Sequence, residues 1–182
     1  MKFVCAKWCL VLVFVCGSFV FAQAQQKQTQ KTVLAQGNFA SLKGSLPWPT
    51  DNISELLTYK QQLAMIKNQY GINGSPLKTL TIRCDNATTV KSIAEGSVQS
   101  ILDIENTKSV IVQQGDYLLV YSNLDTVYLK KGDSVSTMQP IGKLTNRTVN
   151  NYYELEMLLY RNRKQLDPYD WFIPMDRSKQ MI

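Results

Sequence analysis

The residue types that support most hydrolytic chemistry are sparse in this chain of 182 residues, which contains no histidine. Without an imidazole, neither a Ser-His-Asp triad nor a Cys-His pair can be assembled. Two carboxylates, Glu154 and Glu156, are two residues apart and share one face of a strand if this segment is extended. Such a pair is the minimum that a glycosidase needs, although the polar face of a strand commonly carries acidic residues. The sequence also lacks a phosphate-binding loop, a dinucleotide-binding glycine motif and a calcium-loop spacing.

The N-terminus has the features of a signal peptide. Lys2 and Lys7 accompany an apolar run from Leu10 to Phe21, and Ala22-Gln23-Ala24 resembles a small-residue cleavage site. Residues 1–24 are therefore predicted to be a signal peptide, with membrane attachment only if this segment is not cleaved. Beyond it, Cys84 is the only cysteine, so no internal disulfide can form there, and a lone thiol is most often a small buried hydrophobe.

Charge and composition favour a protein without a nucleic-acid partner. Two of the 20 basic residues lie in the predicted signal peptide, which leaves a net charge of +4 on the remainder. This charge is mild and scattered, as expected for a solvated surface. Residues 25–38 are rich in Gln, Lys and Thr, and we expect a disordered polar spacer. A domain over residues 39–174 and a short tail, residues 175–182, complete the predicted organisation.

Apolar spacing predicts a mainly β fold with one helix. Ile53, Leu56, Leu63 and Ile66 fall near one helical face, which predicts a helix from Thr50 to Tyr70 with Asp51 as its N-cap. After residue 76, short β-branched runs alternate with Gly and Asp turns, which indicates antiparallel strands. The predicted strands are Leu77–Arg83, Val90–Ala94, Ser97–Ile104, Ser109–Gln113, Tyr117–Ser122, Thr126–Leu129 and Tyr152–Leu159.

Several segments in a fixed order resemble LytM-type (lysostaphin-like) domains, and most of all the degenerate domain at the C-terminal end of EnvC-type murein hydrolase activators. Residues 90–98 (VKSIAEGSV) are similar to the family's "VrAvadGtV", and residues 110–124 (VIVQQGDYLLVYSNL) to "VvIrHGdYltvYahL". The remaining matches are residues 39–49 (FASLKGSLPWP), 127–135 (VYLKKGDSV), 139–142 (QPIG) and 166–172 (LDPYDWF). The resemblance implies a compact antiparallel domain of the duplicated-hybrid-motif type, exported to the periplasm of a Gram-negative bacterium.

The resemblance also locates the positions that bind zinc in active members. Their His-x-x-x-Asp pair falls on Leu77 and Thr81, and the two histidines of "HLHFE" fall on Tyr152 and Glu154. The "HG" position is Gln114, and "YahL" places Tyr121 and Asn123 in the same groove. A catalytic zinc needs three protein ligands and an open position for water, and these residues do not supply them. We therefore expect no zinc, no other cofactor and no catalysis.

Loss of the ligands from a retained scaffold implies a binding role for the vestigial groove, which comprises Gln114, Tyr121, Asn123, Tyr152 and Glu154. By resemblance, the first expectation is a regulator that binds a peptidoglycan amidase and shifts it toward its active state. The alternative is a module that binds peptidoglycan, or an envelope scaffold, without effect on hydrolases. The predicted helix in residues 50–70 is a candidate cover for the groove.

Overall fold

The computed structural model describes residues 39–71, 77–104, 106–144 and 153–175. The predicted signal peptide and spacer lie outside them, as does most of the predicted tail. Eleven strands and one helix, α1 (Tyr59–Tyr70), are observed, with 3₁₀ helices at Phe39–Leu42 and Pro168–Trp171. The strands are β1 (Ile53–Leu57), β2 (Leu80–Cys84), β3 (Thr88–Lys91), β4 (Gly96–Ile104), β5 (Thr107–Gln114), β6 (Tyr117–Leu124), β7 (Thr126–Val127), β8 (Ser134–Val135), β9 (Pro140–Leu144), β10 (Tyr153–Arg161) and β11 (Lys164–Leu166).

The strands form two antiparallel sheets, which confirms the predicted mainly β fold. The large sheet has the order β1-β2-β10-β6-β5-β4-β8, with β11 paired to β10, and the small sheet has the order β3-β9-β7. Side chains from both sheets form one hydrophobic core; those below 2% exposure include Leu80, Ile82, Val90, Tyr121, Ile141, Leu144, Leu155 and Met157. The core covers one face of the large sheet, and we call the opposite face the outer face.

The predicted helix over residues 50–70 is wrong in its first half. Ile53–Leu57 is strand β1, paired with β2, and α1 begins only at Tyr59. The N-cap is Thr58 rather than Asp51: Thr58 and Gln61 form a reciprocal capping box, which satisfies backbone donors at the helix start. Asp51 instead forms an ion pair with Lys91 at 2.6 Å. Non-local pairing with β2 therefore outweighs the helical spacing of these residues.

Most predicted strands are confirmed, with shifted ends. The first runs from Leu80 to Cys84, so Leu77 precedes it. Strands β1, β8, β9 and β11 were not predicted, because each is short or lacks an alternating apolar pattern. Among the described residues, no helix has the length and apolar character needed to cross a membrane.

Aromatic side chains join the two ends of the described domain. Trp48 stacks on Phe172 with ring centroids 4.3 Å apart, and Leu46 pairs with Phe172 through a β-bridge. Phe39 stacks on Trp171 at 4.9 Å. The C-terminal aromatics thus pack into the core, where they hold the segment that precedes β1 against the sheet.

Candidate functional site

A row of polar side chains crosses the outer face of the large sheet. Glu156 on β10 lies directly opposite Thr81 on β2 and, on its other side, opposite Ser122 on β6. Ser109 on β5 extends the row, since its Oγ donates to Ser122 Oγ at 2.9 Å. The neighbours of these residues in each strand, including Ile82, Tyr121 and Leu155, point into the core. We call Thr81, Glu156, Ser122 and Ser109 the polar row.

A second row, two residues further along the same strands, consists of an arginine between two carboxylates. Arg83 on β2 donates from Nε to Glu154 Oε1 at 2.6 Å and from Nη1 to Glu55 Oε2 at 2.8 Å. Glu55 belongs to β1 and Glu154 to β10, so the guanidinium joins three adjacent strands. The hydrogen bonds that Arg83 donates to Glu55, and next those to Glu154, raise the pKa of Arg83 above its ordinary value. The Glu154 carboxylate is therefore held against a permanent cation.

Strand register distinguishes the two glutamates that sequence places near the vestigial ligands. Side chains of directly opposed residues are about 5 Å apart at Cβ, whereas diagonal neighbours are about 7–8 Å apart. Thr81 is directly opposed to Glu156 and only diagonal to Glu154, which opposes Arg83. The structure thus brings Thr81 together with Glu156, two residues beyond the position that the sequence alignment favours. Leu77 is 62% exposed and precedes β2.

Helix α1 contacts the polar row through Gln62. Its Nε2 donates to the carbonyl oxygens of Leu57 at 2.9 Å and Thr79 at 3.2 Å, and to Thr81 Oγ1 at 3.3 Å. None of the α1 residues whose burial is described is buried. We call residues 53–70 the β1–α1 segment. Its helix rests on the sheet mainly through polar contacts, directly above the Thr81 position.

Two residues predicted to line the groove lie in the core instead. Tyr121 is fully buried; its hydroxyl accepts from the Ile93 N–H at 2.9 Å and lies 3.4 Å from Ser92 Oγ. Gln114 is 4% exposed and shares the core face with Tyr117. The reason is the alternation of side chains along a strand. Even-numbered residues of β5 point inward at this position, and odd-numbered residues of β6 do so at theirs. Neither residue is available to a ligand on the outer face.

Burial of Tyr121 makes stability depend on alkaline pH. Burial raises the pKa of Tyr121 to about 12, above the ordinary value near 10. Its contribution to folding is complete below pH 10 and is lost as the pH rises through 12, because only the unfolded chain releases the proton in that window. We expect the free energy of unfolding to fall by up to about 1.4 kcal/mol per pH unit there. Urea unfolding at pH 9 to 11.5 measures it; Tyr121→Phe should lack this component, and an identical decline in that variant would refute the assignment.

Asn123 has a backbone role in the structure. Its φ is 68°, in the left-handed region that asparagine tolerates better than most residues. The pairing of β5 with β6 shifts at this point, between Lys108 and Val110, as expected for a β-bulge. Ser122 points outward by alternation from Tyr121, and the bulge returns Leu124 to the core.

This conformation predicts how substitutions at Asn123 behave. Asn123→Gly should leave the free energy of unfolding within about 0.5 kcal/mol of the parent chain, whereas Asn123→Val should lower it by about 1–2 kcal/mol through backbone strain. Urea unfolding measures both. Lys143→Val, at an exposed strand position, is the control for adding a β-branched apolar residue. Equal stability of the Gly and Val variants would contradict the strained conformation.

The remaining predicted site residue, Tyr152, lies outside the described residues. Five residues of the site were not predicted from sequence: Glu55, Gln62, Arg83, Ser109 and Ser122. Period-two alternation in β6 contained the signal for Ser122, because a strand with Tyr121 inward must turn Ser122 outward. Glu55 and Gln62 carried no such signal, since their segment was predicted as one continuous helix.

The donor groups present do not suit the zinc that the fold resemblance implies. Leu77 has no donor atom, the Thr81 hydroxyl already accepts from Gln62, and Glu154 is held by the Arg83 guanidinium. Within the described ranges, no group of three or more Cys, Asp or Glu side chains is placed to hold a metal ion.

Solved structures with this fold include bacterial peptidases. A putative M23 peptidase from Pseudomonas aeruginosa is 18% identical with a TM-score of 0.54, over 81% of this chain and 59% of that one. Csd3 of Helicobacter pylori is 20% identical with a TM-score of 0.53, over 71% of this chain and 33% of that chain. A zinc-containing peptidase from Vibrio cholerae is 17% identical with a TM-score of 0.53, over 72% and 41%. The chain thus spans about a third to three fifths of these proteins.

Sequence comparison points the same way. No curated protein matches the chain. Residues 75–168, more than half of the chain, match the profile of Peptidase family M23, and this segment contains β2 to β11 with the whole polar row. The chain belongs to Peptidase family M23.

Proposed function

We propose that this protein is a non-catalytic LytM-type protein of the cell envelope, which activates a peptidoglycan hydrolase by binding it. The observation that carries the proposal is the polar row. An M23 fold is retained, but the positions that correspond to metal ligands hold Leu77, Thr81 and a glutamate in a chain without histidine. No ligand triplet remains to lower the pKa of a bound water toward 7. A scaffold that lacks the metal ligands can still present a surface that binds another protein.

The outer face offers an apolar surface beside the two polar rows. Ile111, Val120 and Leu158 are directly opposed across β5, β6 and β10, and Leu118 and Tyr160 are opposed one step further along. All five are half-buried in the isolated domain. Contiguous apolar side chains rimmed by charged groups are typical of protein-binding surfaces. We call these five residues the apolar patch, and we propose that it binds the hydrolase.

Export is part of the proposal. Residues 1–24 would direct the chain across the inner membrane, and residues 25–38 would form a spacer before the domain. The domain, residues 39–174, and the tail, residues 175–182, would remain in the periplasm. An amidase that acts on peptidoglycan works in that compartment. The charge of +4 that remains without residues 1–24 is compatible with the anionic wall around it.

The β1–α1 segment supports a regulated form of binding. It covers Thr81 through the Gln62 amide, and its helix has no buried anchor among the residues whose burial is described. Segments with few buried apolar contacts open at low free-energy cost. We propose that displacement of α1 exposes the polar row, so that the hydrolase can bind there.

The direct test is dye release from labelled sacculi by the purified protein, alone and with periplasmic amidases of the same organism. The proposal expects no release by the protein alone and increased release in the mixture. Val120→Glu, in the apolar patch, should abolish the increase, and Tyr128→Glu, at an exposed position on the loop after β7, should not. Release by the protein alone would overturn the non-catalytic reading. No increase in the mixture, with the protein sedimenting on sacculi, would favour the peptidoglycan-binding alternative.

A second experiment isolates the β1–α1 segment. Gln62→Ala removes the contact with Thr81, and Gln69→Ala changes an exposed glutamine of the same helix. If α1 covers the binding surface, Gln62→Ala should increase amidase activation severalfold over the parent chain, while Gln69→Ala should not. Identical activation by the two variants would show that the Gln62 contact does not restrain binding.

A further inference from the structure

One edge of the large sheet is free along much of β4. Strand β4 pairs with β8 only at Gly96 and Ser97. At Val98 the edge is closed by the turn before β8, since Val98 N donates to Asp133 O at 2.8 Å and Val98 O accepts from Gly132 N at 2.8 Å. Over residues 99–104, no second strand from the described part of the chain pairs with this edge. The free length is enough to pair with another strand.

The free edge lacks the features that usually prevent association. Natural edge strands carry proline, unpaired lysine or inward charges, or they are very short. Residues 99–104 (QSILDI) contain one charged residue, Asp103, which pairs with Lys108 on β5. Leu102 and Ile104 are 44% and 51% exposed and point to the same side as Ser100. An apolar edge with neutralised charge favours strand addition.

We propose that this edge binds the same edge of a second copy of the chain, which gives a two-fold dimer through antiparallel β4 strands. The segment is self-complementary about an axis at Leu102. Leu102 then meets Leu102 of the second copy, and Ile104 meets Ser100. Asp103 meets Ile101, so the two aspartates are not opposed. A hydrogen-bonded edge with matching apolar side chains on both copies satisfies the isologous geometry of a two-fold interface.

This edge adjoins the proposed hydrolase-binding surface, because Ser100 and Leu102 oppose Ile111 and Ser109 on the outer face, but the inference does not depend on that function. Pairing about an axis perpendicular to the sheet joins the two large sheets into one. Both outer faces then point to the same side of the dimer. A dimer would thus present two apolar patches together, which raises the effective affinity for a partner with two matching sites.

Sedimentation velocity of the purified protein across a range of concentrations tests the proposal. We expect a reversible monomer–dimer equilibrium. The double variant Leu102→Lys, Ile104→Lys should raise the dimer dissociation constant at least tenfold, because the two lysines at position 102 then oppose each other and those at position 104 lie diagonal to them. Tyr128 is also 51% exposed, so Tyr128→Lys is the matched control and should leave the dissociation constant unchanged. Circular dichroism melts of the variants verify that each folds.

Cross-linking provides an independent readout of the register. Directly opposed Cβ atoms lie about 5 Å apart, so Leu102→Cys should form an intermolecular disulfide under mild oxidation, beyond the level of the parent chain and of Tyr128→Cys. A monomer at all concentrations, or a dimer that persists in the double lysine variant, would overturn the proposal. A Leu102→Cys cross-link to a different envelope protein, with the purified chain monomeric, would also overturn it in favour of another strand as occupant.

Discussion

Zinc binding should return when the ligand positions defined by strand register are given imidazole and carboxylate side chains. In a Leu77→His, Thr81→Asp background, Glu156→His should bind Zn²⁺ at least tenfold more tightly than Glu154→His. Two ligands of one tetrahedral zinc have donor atoms about 3–3.5 Å apart. A residue directly opposed to position 81 can reach this distance, whereas a diagonal neighbour starts about 2–3 Å further away. Competition with a zinc-sensitive dye measures the affinities.

The two variants are matched because both introduce one histidine on β10, on the same face. They differ in one further respect: Glu154→His also removes a partner of Arg83, which leaves a guanidinium less neutralised beside the metal. A quadruple variant, with Glu154→His and Arg83→Gln in the same Leu77→His, Thr81→Asp background, separates that effect from register. If the Glu154→His chain bound zinc as tightly as the Glu156→His chain, the register argument would be lost.

Gly142→Ala should cause a large loss of stability for so small a substitution. A Cβ at Gly142 would lie 2.4 Å from the Thr126 carbonyl oxygen and 3.1 Å from Leu124 Cδ1. The oxygen belongs to the backbone of β7, which pairs with β9 at Val127 and Gly142. The clash can be relieved only if the two strands separate, so we expect a loss of about 3 kcal/mol in the free energy of unfolding.

Urea unfolding measures this loss, and a thermal melt should show a midpoint roughly 10 °C lower. Lys143→Ala, at the adjacent exposed position, is the control and should change stability by less than about 0.5 kcal/mol. A Gly142→Ala chain within that margin of the parent would show that β7 and β9 are not held as closely as the structure indicates. The small sheet would then be a looser cover for the core.

The polar row explains why sequence reasoning could place the site only approximately. Thr81 follows from motif spacing alone, because it is counted along one chain segment from Val90. The glutamate opposite it depends on how β10 pairs with β2, which are more than 70 residues apart in sequence. The sequence alignment across residues 145–152 does not fix the register of β10 against β2, which can shift by two residues. Such a shift preserves the alternation of inward and outward side chains.

Tyr121 and Ser122 show the complementary case, in which a shift of one residue moves a side chain to the opposite face of the sheet. Motif resemblance treated Tyr121 as part of a groove, but its side chain lies between the sheets and Ser122 takes the outer position. Inward and outward faces alternate with each residue, so a motif read without its strand parity assigns the wrong face. The β-bulge at Asn123 adds a further shift that spacing cannot reveal.

By itself the sequence determined the chemistry that this protein lacks and the family scaffold that it shares. The absence of histidine excludes an imidazole-based zinc site whatever the fold, and alternating apolar residues with Gly and Asp turns define β4, β5 and β6 locally. Only the tertiary structure decided that Glu156 opposes Thr81, that Glu55 and Glu154 enclose Arg83, and that Gln62 contacts the row from α1. Those contacts join residues distant in sequence, so they depend on strand pairing and packing of the whole domain, which no local pattern encodes.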